Sequence, residues 1–119
     1  MTETFTVKVT YKAFGNPKTI DVVLPTIVGK YVDDLHICEQ IFKQTNTYKG
    51  PIYDQIIERG EGRTHTSLSV GDEVEINGQV YICADFGFEK IEDVDIKTFD
   101  REDGRTIVFS VSPKVGVGA

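Results

Sequence analysis

Apolar and polar residues alternate through the first 25 positions of the chain. Phe5, Val7, Val9 and Tyr11 fall on one side of an extended backbone, and Thr4, Thr6, Lys8, Thr10 and Lys12 on the other. A period of two is the signature of a half-buried strand. Phe14-Gly15-Asn16-Pro17 has turn chemistry, and Ile20, Val22 and Leu24 resume the alternation up to Pro25. The pattern predicts a β-hairpin whose wet face is rich in Thr and Lys. The period then lengthens. Tyr31, Leu35, Cys38 and Phe42, widened by Ile41, make one stripe of a helix over about residues 32–46. Asp33 and Asp34 suit its N-terminus, by capping and by interaction with the helix dipole. Lys49-Gly50-Pro51 predicts a turn, with Pro51 in the first turn of a short second helix. Ile52, Tyr53, Ile56 and Ile57 give that helix an apolar side, and Gly60 ends it.

The most strongly patterned stretch is residues 63–91. A polar run over 63–69 leads into the corner Val70-Gly71-Asp72. Val74 and Ile76 then alternate with acidic residues, and Val80, Ile82 and Ala84 alternate with Tyr81 and Cys83. Between the two lies Asn77-Gly78, the pair best suited to the positive φ angles of a type I′ hairpin turn. Gly87 between Phe86 and Phe88 predicts a tight bend that sends both rings inward. Further on, Val94, Ile96 and Thr98 suggest a strand, residues 100–104 a polar turn, and Ile107, Phe109 and Val111 a last strand ended by Pro113.

The order β-β-α-α-β-β-β-β predicts a single α+β domain over residues 1–119: an N-terminal hairpin, two helices, then a mostly antiparallel bent sheet. The opening ββα is β-grasp-like, while residues 70–112 can equally form a small SH3-like sheet packed by the helices. The expected core contains Phe5, Val7, Val9, Leu35, Phe42, Ile56, Val74, Ile82 and Phe88.

Thr66-Ser67-Leu68-Ser69-Val70-Gly71-Asp72, followed by Tyr81, Cys83, Gly87-Phe88 and Ile91, resembles a motif of small proteins from phages, plasmids and other mobile elements. Glu39 and Phe42 are similar to an upstream acidic helix in those proteins. The resemblance spans roughly residues 33–91. Glu73 departs from it, standing where an aliphatic residue is usual, and the chain continues for 28 residues beyond Ile91. The resemblance implies an origin, an accessory protein working in a host cytoplasm, and carries no activity with it.

Composition narrows the function classes. Hydrophobic residues at 39% and charged residues at 27% are ordinary for a globular protein. A net charge of −6 disfavours broad phosphate binding, which needs a basic footprint. The chain has no apolar run long enough to span a membrane, and its N-terminus lacks the pattern of a secretory signal. Cys38 and Cys83 sit in apolar patterns and read as buried thiols of a reducing compartment.

Candidate chemistry is sparse. His36 and Cys38 lie about 200° apart on a helix, so they cannot ligate one metal together. A Cys38 and His65 nucleophile–base pair needs an exposed thiolate, and the pattern buries Cys38. Asp33, Asp34 and Glu39 read as a cap and a solvated face. No enzyme activity, metal or cofactor is therefore expected. The candidate binding residues are Arg63, His65, Ser67 and Ser69, with Phe86 at their rim, because Arg and aromatic side chains dominate binding hot spots. Read as turn chemistry, the Ser and Thr residues of this run satisfy backbone groups ahead of Gly71-Asp72. The leading expectation is a non-enzymatic accessory protein acting through contacts with a host or self protein. The alternatives are a nucleic-acid-binding small-barrel module using Arg63, His65, Phe86 and Phe88, and a small-ligand binder or enzyme.

Overall fold

β1 (Thr4–Tyr11) and β2 (Lys18–Pro25) pair antiparallel along their whole length, from Thr4 opposite Pro25 to Tyr11 opposite Lys18. Val7, Val9, Tyr11, Ile20 and Val22 are all buried, as the alternation predicts. The computed structural model describes residues 4–13, 15, 17–25, 33–60 and 67–114; Phe14, Tyr31, Arg63, His65 and the side chain of Phe5 lie outside that description.

The remaining strands divide into two sheets. β3 (Glu73–Ile76), β4 (Gln79–Cys83) and β5 (Phe88–Lys90) continue the hairpin in a five-stranded sheet of order β2-β1-β3-β4-β5, antiparallel throughout. Asn77 and Gly78 have φ of 49° and 85° and form the expected tight turn between β3 and β4. After a 3-10 turn over Ile91–Asp93, β6 (Val94–Asp100) and β7 (Thr106–Pro113) make a separate two-stranded ribbon. Its ladder carries a bulge: Lys97 lies opposite Ser110 and Thr98 opposite Val108, so Phe109 is the extra residue. The fold is α+β as expected, with β5 added to the strands read from the pattern. Residues 70–112 contribute to both sheets instead of closing one of their own.

α1 (Asp34–Thr47) begins where expected, with the Asp33 side chain accepting from Leu35 N–H at 3.1 Å. Its buried face is not the expected one. Ile37, Cys38, Ile41 and Thr45 are buried, whereas Leu35 and Phe42 are each 40% exposed. Ile37, Ile41 and Thr45 follow the i, i+4 row, so the helix is turned from the Leu35, Cys38, Phe42 row to bring the β-branched side chains onto the sheet. Thr45 is accommodated because its hydroxyl donates to Phe42 C=O and accepts from Leu68 N–H. Tyr48, in the left-handed region, ends α1. α2 (Pro51–Arg59) starts with Pro51 in its first turn, and the Gln44 side chain of α1 caps the Ile52 N–H at 2.8 Å.

α2 also covers the free edge of β2. The Gln55 amide accepts from Val23 N–H and donates to Val23 C=O, as a neighbouring strand would, and Arg59 donates to Asp21 C=O. That edge is closed to further pairing.

Asp72 joins these parts. It is buried, and its carboxylate accepts from the backbone N–H groups of Lys12 and Ala13 at 2.8 and 2.9 Å and of Ser69 at 2.8 Å. Its own N–H donates to Ser69 C=O, and its C=O accepts from Cys83 N–H. Next to it, Gly71 has φ of 100°, and a Cβ there would come within 2.7 Å of the Val108 side chain. The ribbon therefore rests on Gly71, and Val108 N–H also donates to Ala13 C=O. Ile82, Ala84, Val94 and Val111 fill a second, smaller core under the ribbon.

Two measurements check this account. Asp72→Ala leaves three buried or half-buried N–H groups without their acceptor and is expected to lower urea stability by about 3–5 kcal/mol. Asp72→Asn, which keeps one acceptor oxygen, is expected to cost less. On α1, Ile41→Ala is expected to cost about 2–5 kcal/mol. Phe42→Ala, at the edge of the core, is expected to cost less than Ile41→Ala; the opposite order in thermal melts would contradict the helix orientation.

Candidate functional site

Sequence reasoning sent both rings of the Phe86-Gly87-Phe88 corner inward, and the structure separates them. Phe88 is half-buried and meets Phe42 edge-on, with ring centroids 6.2 Å apart, whereas Phe86 is 92% exposed. The cause is local. Ala84 N–H donates to Gly87 C=O, closing residues 84–87 into a tight turn in which Gly87 takes φ of 71°. β5 then starts at Phe88 opposite Cys83, and Phe86 is left at the tip.

Beside this tip runs an apolar groove of about 310 Å³, lined by Phe42, Leu68, Val70, Cys83, Ala84, Gly87 and Phe88, with the acidic residues Glu39 and Asp85 also contributing to its wall. Its walls come from α1, the segment before Gly71, and the β4–β5 corner. Leu35 and Phe42 face away from the sequence-predicted core position, and Phe42 becomes a lip of this groove. No periodicity in the sequence separates a core Phe from a lip Phe, since both lie on the helix's apolar side.

Of the candidate binding residues, Arg63 and His65 lie outside the described residues. Ser67 donates weakly, at 3.4 Å to Thr45 C=O, and shares a 3.3 Å contact with the Tyr48 hydroxyl. Ser69 uses its backbone on both sides of Asp72. These two residues hold the loop in place, Ser67 through its hydroxyl on α1 and Ser69 through its backbone at the Asp72 corner. The segment still meets the aromatic corner, through Leu68 and Val70 in place of the serines.

Of the two acidic groove residues, Asp85 is held by the ribbon. Asp85 accepts from Val111 N–H at 3.0 Å and from the Ser110 hydroxyl at 2.9 Å, and its own N–H donates to Val111 C=O. The Val111 amide and then the Ser110 hydroxyl hold its carboxyl below the ordinary carboxylate value. Tyr81, from the floor of the sheet, donates to Asp34 at 2.8 Å and ties the start of α1 to β4. Burial pushes the Cys38 thiol up to about 12, with Asp34 adding to it, and burial followed by Asp72 pushes Cys83 up to about 11. Neither thiol is a nucleophile near neutral pH, although Cys83 lines the groove. Among the described residues no group of three or more His, Cys, Asp or Glu side chains is arranged to hold a metal ion. No helix among them is long and apolar enough to cross a membrane.

Comparison with protein-family models, with curated proteins and with solved structures finds no match.

Asp85 gives a pH-dependent expectation. Its folded-state carboxyl titrates below the unfolded one, so its contribution to stability is present above the ordinary carboxylate range and is lost as the pH falls through the depressed value. Carboxyl NMR titration should find Asp85 among the more acidic side chains. In Ser110→Ala its midpoint should rise, because one hydrogen bond to the charged form is gone. An unchanged midpoint would mean that the Ser110 contact is absent in solution.

Proposed function

We propose that this chain is a non-enzymatic binding module that captures an apolar side chain of a cationic protein segment in the groove between α1 and the β4–β5 corner. The observation that carries the reading is the pairing of an apolar groove with a fully presented ring: Phe86 is 92% exposed between the lining residues Asp85 and Gly87. A large ring at a rigid turn, beside an apolar slot, is the arrangement of a binding hot spot. Glu39 and Asp85 favour positive charge on either side of the inserted residue, in keeping with the chain's net charge of −6. The resemblance of residues 66–72 and 81–91 to small mobile-element proteins supports an accessory role in a host cytoplasm.

A second reading, a single nucleic-acid strand stacked on Phe86, draws on the same exposed ring. The negative charges of the lining residues Glu39 and Asp85 oppose the phosphates it would bring.

The test is an amide NMR titration with two capped tripeptides, Lys-Trp-Lys and Glu-Trp-Glu. The cationic peptide is expected to move the Val70, Ala84 and Gly87 amides saturably, and the acidic one much less. The Phe86→Ala variant should weaken the response. Absence of saturable shifts at those amides with either peptide would overturn the reading, and equal response to both would remove the charge preference.

A further inference from the structure

Three outer strands have long edges, β2, β6 and β7, and they are treated differently. On β2 the outward backbone groups of Asp21 and Val23 are occupied by Arg59 and Gln55. On β6 nothing comparable occurs. Val111 turns its N–H and C=O to Asp85, and Val108 turns its N–H to Ala13. Val111 therefore points both backbone groups, and Val108 its N–H, away from β6. Their partners across the ladder are Ile96 and Thr98. In an antiparallel pair, residues opposite such positions also point outward. Ile96 and Thr98 thus direct N–H and C=O out of the free edge of β6, and no hydrogen bond to another described residue reaches them. The strand is seven residues long, and its edge has neither a proline nor a covering helix; the ladder's extra residue lies in β7, and the charges flanking Ile96 are one Asp and one Lys, which can pair instead of repel.

Its side chains are self-complementary. Asp95 and Lys97 share one face of β6, and Ile96, 39% exposed, points to the other beside buried Val94. We propose that β6 pairs antiparallel with β6 of a second copy of this chain about a twofold axis at Ile96, joining the two ribbons into one four-stranded sheet. Ile96 then exchanges both backbone hydrogen bonds with its counterpart and covers its exposed side chain. Asp95 falls opposite Lys97 of the second copy, and Lys97 opposite Asp95, at the closely spaced positions of the ladder. Shifting the axis one residue to Lys97 sets the two ammonium groups against each other, which disfavours that register. A homodimer interface of this kind uses the same patch on both subunits, and β6 meets that requirement in backbone direction, charge and apolar content.

The experiment measures mass by sedimentation across protein concentration. The native chain is expected to reach twice the chain mass. Lys97→Asp and Asp95→Lys each set like charges opposite one another and should shift the association to at least tenfold higher concentration. The double exchange Asp95→Lys with Lys97→Asp should restore it. Ile96→Pro removes an outward N–H that the β6–β7 ladder does not use and should leave a folded monomer; circular dichroism and thermal melting verify the fold of every variant. A native chain that stays monomeric at all concentrations overturns the proposal. So does a dimer indifferent to the charge variants, or a double exchange that fails to recover association while remaining folded.

Discussion

Much of this structure hangs on a carboxylate with little access to water. Asp72 is 2% exposed, and taking an ionised side chain out of water is costly unless hydrogen bonds replace its hydration. Here three backbone N–H groups do so, from Lys12, Ala13 and Ser69. Those donors belong to the end of the first hairpin and to the segment that enters the central one. The same residue therefore fixes where β1 ends, how β3 begins, and how residues 67–70 lie against α1. Gly71 adds the fourth part, since only a residue without a Cβ leaves Val108 room to bring the ribbon against this corner.

The groove follows from this arrangement. With Leu68 drawn inward, its N–H donating to Thr45, and Val70 placed just before the corner, one wall is set. α1 supplies the other. Its β-branched row, Ile37, Ile41 and Thr45, packs on the sheet and leaves Phe42 to meet Phe88 at the surface. The tight turn at 84–87 completes the slot and isolates Phe86. Asp85 belongs to both structures, because its carboxylate holds β7 while the residue also lines the groove. The ribbon and the groove are thus mechanically linked through one residue.

Local chemistry was legible in the sequence wherever a residue type permits few conformations. Asn77-Gly78 specified the tight turn, Pro51 the start of α2, Asp33 the cap of α1, and the β1 and β2 alternation the buried face of the hairpin. Each depends on neighbours a few residues away. The sequence also marked 63–72 and 86–88 as the region of interest, but it did not show that Ser67 would reach α1 with its hydroxyl while Ser69 engages Asp72 through its backbone alone. It did not distinguish Ile41 from Phe42 as the core residue of α1, because both lie on the helix's apolar side and only the sheet beneath decides which row packs. For the same reason the fate of Phe86 could not be read: a Gly between two Phe residues specifies a bend, but not which ring the bend exposes.

What the sequence alone determined is the set of helices and strands apart from the short β5, their order and the Asn77-Gly78 and Lys49–Pro51 turns, since propensity and periodicity act over short range. The tertiary structure alone decided the strand order β2-β1-β3-β4-β5, the separation of the β6–β7 ribbon, and the closed and open edges of the sheets. Those depend on contacts between residues far apart in the chain, Asp72 with Ala13, Gln55 with Val23 and Asp85 with Val111. A side chain's ability to hydrogen-bond is written in its chemistry, but its partner is set by which backbone groups packing leaves without one.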